Sequence, residues 1–186
     1  MQDVCVFCGS SAGKDPVFMQ AAKALGDAIS SASLGLVYGG AHVGLMGQVA
    51  DAVLEGWQKV VGVIPQSFAS KVSHEGLTQL HVVDSMHARK AMMFELADAC
   101  IALPGGFGTL EELTEVVTWA QLELHQKPTG LLNINGYYNA LLVFFDHAVE
   151  AGFIKPQHLE LLIVHHDPTQ LLQLLEDYKL QAASHN

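Results

Sequence analysis

The chain has 186 residues, half of them hydrophobic, and a formal net charge of −10. This length and composition indicate one domain, spanning residues 1–186, with enough apolar side chains to bury a core. The acidic balance argues against nucleic acid as a partner, because binding to a phosphate backbone needs clustered Lys and Arg. It argues equally against an anionic membrane surface.

Neither membrane insertion nor export is indicated by the pattern of the chain. No apolar run approaches the roughly 20 residues that cross a bilayer, and no secretory signal is visible at the N-terminus. Three cysteines, an odd number, fit a reducing compartment better than a disulfide framework. We therefore expect a cytoplasmic protein. Cys5 and Cys8 form a C-x-x-C inside the first predicted strand, which we interpret as buried thiols and not as a metal or redox site.

Apolar runs typical of buried strands alternate with helical patterns along the chain. Strands are predicted at about 3–8, 34–38, 59–64, 79–83, 99–103, 129–134 and 161–165. Helices are predicted at about 16–32, 43–56, 86–97, 109–125, 137–151 and 168–181. Continuous apolar strands that alternate with helices indicate an α/β fold, a parallel sheet with helices on both faces.

Small and polar residues follow several of the predicted strands. They include Cys8-Gly9-Ser10-Ser11, Tyr38-Gly39-Gly40 and Pro104-Gly105-Gly106. In parallel α/β sheets, ligands bind beyond the carboxyl ends of the strands, near the point where the strand order reverses. We therefore predict a ligand site at this edge, with Gly9, Ser10, Gly39 and Gly40 among its residues.

The segment Pro104-Gly105-Gly106-Phe107-Gly108-Thr109-Leu110-Glu111-Glu112 carries the strongest functional signal. It joins the strand at 99–103 to a helical pattern. Glycine lets a backbone approach a phosphate closely, and the free N–H groups and dipole of a helix start favour its negative charge. Two carboxylates beside such a cradle would oppose phosphate binding unless the chemistry needs them. The segment therefore predicts a phosphate-bearing substrate whose reaction requires an acid or a base.

A structural interpretation of the same residues competes with this one. Thr109-Leu110-Glu111-Glu112 fits S/T-x-x-E, the capping box in which the threonine caps a helix and the glutamate reaches back to it. A simple cap does not need the preceding Gly-Gly-Phe-Gly. Two other nucleotide motifs fail: Glu111 stands where the third glycine of G-x-G-x-x-G belongs, and no complete Walker A loop is present.

Arg89 is the only arginine in the chain. It lies in Ser85-Met86-His87-Ala88-Arg89-Lys90, at the predicted start of a helix, where a cation is unfavourable to the helix dipole. The planar guanidinium suits a bidentate contact with phosphate, ribose hydroxyls or a carboxylate such as Glu112. We therefore expect Arg89 in the site, while a solvated surface position is the alternative. Lys90 is the weaker candidate.

Together these motifs resemble the LONELY GUY (LOG) family, the cytokinin riboside 5′-monophosphate phosphoribohydrolases, often labelled lysine decarboxylases. Its hallmark P-G-G-x-G-T-x-x-E is matched by residues 104–112, and its second hallmark, M-H-x-R-K, by residues 86–90. The resemblance runs from about residue 4 to 155. Further agreement covers Phe7-Cys8-Gly9-Ser10-Ser11, Val37-Tyr38-Gly39-Gly40, Gly44-Leu45-Met46-Gly47, Val63-Ile64-Pro65 and Thr118-Trp119-Ala120-Gln121-Leu122.

The resemblance implies a hydrolase that cleaves the N-glycosidic bond of adenine-type nucleoside 5′-monophosphates to free base and ribose 5-phosphate. It implies a single Rossmann-like, doubly wound nucleotide-binding domain and a homodimer with the pocket near the subunit interface. By their matching positions, Arg89 and Glu112 are the catalytic pair. Residues expected to contact substrate are Met86, Lys90, Gly105, Gly106, Phe107, Gly108, Thr109, Leu110, Glu111 and Thr118. No metal or organic cofactor is implied.

Other functions remain open at this point. A general AMP nucleosidase of purine salvage would use the same residues, and the sequence leaves open whether AMP or an N6-substituted AMP is preferred. A carrier that binds a nucleotide or cofactor without turnover is a further alternative, although pure phosphate binding has no need of Glu112. Lysine decarboxylation is disfavoured, because Lys90 has no motif supporting a Schiff base with pyridoxal phosphate.

Overall fold

The protein is described by a computed structural model covering residues 1–184, with side chains through residue 182. Seven strands form one parallel sheet in the order β4-β3-β2-β1-β5-β6-β7. The strands are β1 (Asp3–Phe7), β2 (Gly35–Tyr38), β3 (Val60–Pro65), β4 (Gln79–Val83), β5 (Ala99–Ala102), β6 (Thr129–Leu132) and β7 (Leu162–His165). All seven coincide with predicted strands, and the prediction of a parallel sheet is confirmed.

Helices connect the strands and cover both faces of the sheet. They are α1 (Val17–Ser31), α2 (Gly44–Glu55), α3 (Gln66–Val72), α4 (Met86–Glu95), α5 (Phe107–Gln121), α6 (Asn139–Glu150), α7 (Pro156–Leu159) and α8 (Pro168–Ser184), with a 3₁₀ turn at Ile134–Gly136. No helix in residues 1–184 is long and apolar enough to cross a membrane.

Two of these helices were not predicted, and one begins earlier than predicted. Helix α3 has no buried residue, so it lacks the apolar periodicity that reveals a helix in sequence. Helix α7 has only four residues. Helix α5 starts at Phe107, two residues before the predicted start at 109, and ends at Gln121, four residues before the predicted end at 125.

The two faces of the sheet have separate cores. Alternate side chains of the central strands, such as Val4, Leu36 and Ile101, pack with α1, α2 and α8. The intervening side chains pack with α4, α5 and α6. Cys5 and Cys100 pair in register on the second face, and both are buried free thiols, whereas Cys8 is only partly buried. The predicted burial is therefore confirmed for Cys5 and is incomplete for Cys8.

The strand order reverses beside β1. The first four strands extend from β1 towards one edge of the sheet, and β5, β6 and β7 extend from it towards the other. Just beyond this point the backbone N–H of Gly9, after β1, donates to the carbonyl oxygen of Pro104, after β5 (3.1 Å). The serine-containing loop after β1 and the Pro104–Glu112 segment are thus joined at the switch point, where ligands of such sheets bind.

Candidate active site

The start of α5 presents unpaired backbone N–H groups. Gly106 is the residue preceding the helix, and the N–H of Leu110 donates back to the Gly106 carbonyl (3.1 Å). The N–H groups before Leu110 have no partner within the helix, as at every helix start. A Cβ added at Gly106 or Gly108 would meet nothing within 4 Å. Packing therefore does not require these glycines, and the space above them is open to a ligand.

Gly105 has a different role from Gly106 and Gly108. A Cβ there would lie 2.1 Å from Thr109 Oγ1 and 2.9 Å from the Gly9 nitrogen. The chain can therefore pass between Gly9 and the buried Thr109 only if residue 105 has no side chain. Gly105 lets the glycine-rich loop pack against Gly9, which follows β1, while Gly106 and Gly108 leave the outer surface of the loop without side chains.

The capping-box interpretation of Thr109 and Glu112 is wrong. Because α5 begins at Phe107, Thr109 lies inside the first turn and makes no side-chain capping bond. The carboxylate of Glu112 instead pairs with Arg89, which lies on α4. The helix starts three residues earlier than the S/T-x-x-E pattern suggested, because the residue that precedes it is Gly106 and not Thr109.

Arg89 and Glu112 form a buried ion pair, with Arg89 Nη1 3.4 Å from Glu112 Oε1 and side-chain exposures of 13% and 9%. The Nε of Arg89 donates to the Val63 carbonyl at the end of β3 (3.1 Å). A Cβ at Gly39 would lie 1.6 Å from Arg89 Nη2, so glycine at the end of β2 makes room for the guanidinium. The Ser85 hydroxyl caps α4 by accepting from the Ala88 N–H (3.1 Å).

Burial makes Glu112 unusually basic for a carboxylate. Desolvation raises the pKa of Glu112 to about 7, and the nearby Glu111 and Glu115 add to that rise. The positive charges of Arg89 and Lys90 oppose it. A carboxyl group with a pKa near neutrality can gain or lose a proton at the pH at which the protein works, which is what acid–base catalysis requires.

Lys90 has different ion-pair partners from its neighbour Arg89. Its buried ammonium pairs with Glu111 and with Glu115, at 3.0 Å from Glu115 Oε1. Burial lowers the pKa of Lys90, but the two carboxylates more than compensate and raise it. Two residues predicted to contact substrate, Lys90 and Glu111, are therefore bound to each other. They tie α4 to α5 beside the Arg89–Glu112 pair.

Two cavities open at the carboxyl edge of the sheet. The first, of about 320 Å³, lies between the loop after β1 and the start of α5, and its walls include Gly9, Gly105 and Gly106. The second, of about 550 Å³, has Arg89 and Met86 in its wall and is otherwise mostly apolar. Ser10 belongs to both cavities. We call the first the polar cavity, for the Ser10 and Ser11 hydroxyls and the glycine backbone in its wall, which also contains Phe18, Leu45 and Tyr137, and the second the apolar cavity.

The other residues predicted to contact substrate are placed differently. Phe107 is 93% exposed beside the polar cavity, and Leu110 is half-buried against the core below α5. Gly40 is buried behind Gly39. Thr118 is exposed, donates to the Thr114 carbonyl (2.6 Å) and lines neither cavity. A substrate contact of Thr118 stays a prediction.

Sequence reasoning missed two parts of the site. Phe68 and Val72 of α3 form part of the apolar wall, and Tyr137 of the turn before α6 lines the polar cavity. The polar residues Gln66 and Ser67, directly after β3, were the only sign of the first. The Asn135-Gly136 pair, a turn signal between two apolar runs, could have indicated the second.

Comparison with known proteins places the chain in a family. The family described as "possible lysine decarboxylase" matches residues 46–175. A cytokinin riboside 5′-monophosphate phosphoribohydrolase of Arabidopsis thaliana is 50% identical over 95% of this chain and 82% of its own length. A probable enzyme of the same name from Oryza sativa subsp. japonica is 50% identical over 96% of this chain and 73% of its own length.

Solved structures show the same fold at lower identity. A molybdenum cofactor binding protein from Rippkaea orientalis superposes with a TM-score of 0.71 at 21% identity, covering 95% of this chain and 96% of that one. The molybdenum cofactor carrier protein of Chlamydomonas reinhardtii gives a TM-score of 0.71 at 20% identity, covering 96% and 98%. These likenesses concern the Rossmann-like fold alone. On the sequence relationships, the chain belongs to the LOG family of cytokinin riboside 5′-monophosphate phosphoribohydrolases.

Proposed function

We propose that this protein hydrolyses the N-glycosidic bond of cytokinin riboside 5′-monophosphates, giving the free adenine-type base and ribose 5-phosphate. The observation that carries the proposal is the buried Arg89–Glu112 pair beside an open, glycine-lined helix start. The names of the half-identical relatives from Arabidopsis and rice support the same activity. In this reaction water adds to C1′ of the ribose, and the base leaves with a proton.

The polar cavity is our candidate site for the 5′-phosphate. The unpaired N–H groups at the start of α5 and the bare surfaces of Gly106 and Gly108 allow the phosphate to approach the backbone closely. Ser10 adds a hydroxyl at the boundary between the two cavities. Holding the phosphate there directs the ribose towards Arg89 and Glu112, so that binding energy at a remote group is used at the reacting carbon.

We assign the assistance of bond cleavage to the carboxylate of Glu112, which lines neither cavity but pairs with Arg89 in the wall of the apolar one. Departure of the base leaves positive charge on the ribose, as in glycoside hydrolysis. An ionised carboxylate stabilises that charge, and the same group can take a proton from the attacking water. Arg89 orients Glu112 and keeps part of its population ionised despite burial.

The apolar cavity favours a cytokinin nucleotide over AMP. Its wall contains side chains without polar groups from α2, β3 and α3, including Met46, Ile64 and Phe68. An unsubstituted amino group of adenine would lose its water there without gaining a partner, whereas an apolar N6 substituent would gain burial. A general AMP nucleosidase is thus the second candidate. A carrier without turnover leaves the raised pKa of Glu112 unused.

We also propose a cytoplasmic homodimer. Cys5, Cys8 and Cys100 are free thiols, which suits a reducing compartment. Trp119 of α5 packs against Phe94 (ring centroids 5.3 Å apart). Exposed apolar residues follow α5 at Leu122 and Leu124 and lie on α6 at Val143 and Phe144, between 59% and 70% exposed. We assign the dimer surface to these residues.

The activity itself is tested with matched nucleotides. Purified protein without added cofactor should release base from N6-isopentenyl-AMP and from AMP, with the higher kcat/KM for the isopentenyl compound. Adenosine and N6-isopentenyladenosine should react at least about 100-fold less efficiently, because they lack the phosphate. Chromatography of the free base gives the rates. Equal kcat/KM for AMP and adenosine would contradict the proposal.

Glu112→Gln separates charge from packing. Turnover should fall by roughly 100-fold or more, because glutamine carries no charge and accepts no proton. Wild-type kcat/KM should rise with pH through about 7 as Glu112 ionises, and the variant should lose this rise. Because the pKa of Glu112 rises from 4.5 in the unfolded chain to about 7 in the folded protein, the wild type loses stability as the pH rises from 4.5 to about 7. The variant has no such loss, so at pH 8 it should be at least as stable as the wild type.

The matched control is Glu95→Gln at the exposed end of α4, which should leave turnover and its pH dependence unchanged. Activity rates across pH and thermal unfolding at pH 8 provide both readouts. A Glu112→Gln protein that turns over normally would exclude Glu112 from the chemistry.

Arg89→Lys tests the shape of the guanidinium separately from its charge. Lysine keeps a positive charge but cannot contact Glu112 while donating to the Val63 carbonyl through a planar group. We expect turnover to fall by roughly 100-fold or more in Arg89→Lys and further in Arg89→Ala. Steady-state kinetics of the two variants decide this: near-normal activity of the lysine variant would mean that charge alone is needed.

The dimer is tested by light scattering at micromolar concentration. We expect a mass twice the chain's 20.0 kDa and a shift towards monomer in Phe144→Glu, since a buried carboxylate at an interface is unfavourable. Lys23→Glu, on the opposite face, is the control and should remain dimeric. A wild-type monomer under these conditions would contradict the assignment.

A further inference from the structure

The turn before α6 places two adjacent tyrosines against the glycine-rich loop. The hydroxyl of Tyr138 donates to the Leu103 carbonyl (2.6 Å), and the hydroxyl of Tyr137 donates to the Gly105 carbonyl (2.7 Å). These two carbonyls lie on either side of Pro104. Neither tyrosine lies in a segment that matches the family motifs, and the site described so far includes only Tyr137, as part of the wall of the polar cavity.

The turn that carries these tyrosines is tightly held. Asn133 accepts the Tyr138 N–H through Oδ1 (2.8 Å) and donates through Nδ2 to Asn139 Oδ1 (2.8 Å). Asn135 and Gly136 both adopt positive φ, of 50° and 70°. Such a turn requires asparagine and glycine, the two residues that adopt this conformation at least cost. The tyrosine rings therefore start from a fixed backbone.

Ring contacts fix the direction of Tyr137 as well. Its ring meets the edge of Phe18 on α1 (centroids 5.5 Å apart) and that of Tyr138 (4.9 Å). Tyr137 is nevertheless 45% exposed, whereas Tyr138 is 2% exposed. Both residues donate to the same loop, but one does so at the open cavity and the other within the core.

We propose that Tyr137 is a positioning residue for the substrate phosphate, an inference that rests on the proposed function. The Gly105 carbonyl and the Gly106 N–H belong to one planar peptide group and point in opposite directions. A hydroxyl that holds the carbonyl therefore also sets the direction of the N–H. The bond keeps the carbonyl oxygen turned towards Tyr137, so that the N–H side of this peptide is the one available to an anion.

The composition of the loop explains why such a contact is needed. Two consecutive glycines leave the 105–106 peptide free to rotate, and glycine has more conformations to lose than any other residue. If the peptide turned over, it would offer an oxygen to the phosphate in place of an N–H group. Tyr137 removes that alternative before substrate arrives, which lowers the cost of binding.

Tyr137→Phe tests the inference, with Tyr138→Phe as its matched control. The Tyr137 variant keeps both ring contacts and loses only the hydroxyl. We expect KM for N6-isopentenyl-AMP and Kd for ribose 5-phosphate each to rise about tenfold, in line with the loss of one hydrogen bond. Turnover at saturation, the melting temperature and kcat/KM for the phosphate-free nucleoside should stay within about twofold or a degree of the wild type.

The control variant should behave in the opposite way. Tyr138→Phe leaves a buried carbonyl without its donor, so the melting temperature should fall by several degrees while phosphate affinity changes little. If phosphate affinity instead follows the melting temperature across both variants, the tyrosines are only structural and the inference is overturned. An unchanged Kd for ribose 5-phosphate in Tyr137→Phe overturns it as well.

The binding measurement separates this inference from the proposed reaction. Calorimetry with ribose 5-phosphate requires no turnover, so a protein that binds it through Tyr137 but cleaves no nucleotide would refute the reaction and uphold the inference. A protein that cleaves nucleotide with the same KM in wild type and Tyr137→Phe would do the reverse. A wild-type protein with no affinity for ribose 5-phosphate would overturn the inference.

Discussion

The ion pair between Arg89 and Glu112 joins the two halves of this fold. Arg89 follows β4, at one edge of the sheet, and Glu112 follows β5, on the other side of the switch point. Burying two charges is costly, and an apolar pair of the same size would be at least as stable. The neighbouring structure nevertheless accommodates the pair, with no side chain at Gly39 and a carbonyl of β3 turned towards the guanidinium. Stability alone therefore does not explain the pair, which favours a functional role for the two charges.

An acidic protein that binds a phosphate must do so with few cations. The chain has 9 Lys and Arg against 19 Asp and Glu, and two of the cations near the site are already paired. Arg89 is bound to Glu112, and Lys90 to Glu111 and Glu115. In the binding mode that we propose, the phosphate is therefore held chiefly by backbone N–H groups at the start of α5. The geometry of a site made of backbone groups depends on the conformation of its loop, and the Tyr137 hydrogen bond to the Gly105 carbonyl restricts that conformation.

The two cavities divide the labour of recognition. The polar one is bounded by glycine backbone and serine hydroxyls together with Phe18, Leu45 and Tyr137, and we propose that it takes the phosphate. The apolar one is bounded by side chains from α2, β3 and α3. Ser10 lines both cavities, and Arg89, which pairs with Glu112, lines the apolar one. In the proposed mode of binding, discrimination among bases is separate from the chemistry, so that changes in α3 would alter one without the other.

The sequence by itself determined the strands, the parallel α/β class and the glycine-rich segment, because buried strands and helix starts leave local patterns. It also indicated Arg89 and Glu112, one through its uniqueness and both through the family hallmarks. Tertiary structure decided what depends on distant neighbours. Helix α5 starts at Phe107, earlier than predicted, where the preceding turn at Gly105 packs against Gly9. Lys90 is bound by two carboxylates of another helix.

Helix α3 escaped prediction because none of its residues is buried, and yet it forms a wall of the apolar cavity. The raised pKa of Glu112 comes from burial by elements far along the chain. Desolvation and through-space charge depend on which atoms lie nearby in three dimensions, and no spacing within a single helix records that.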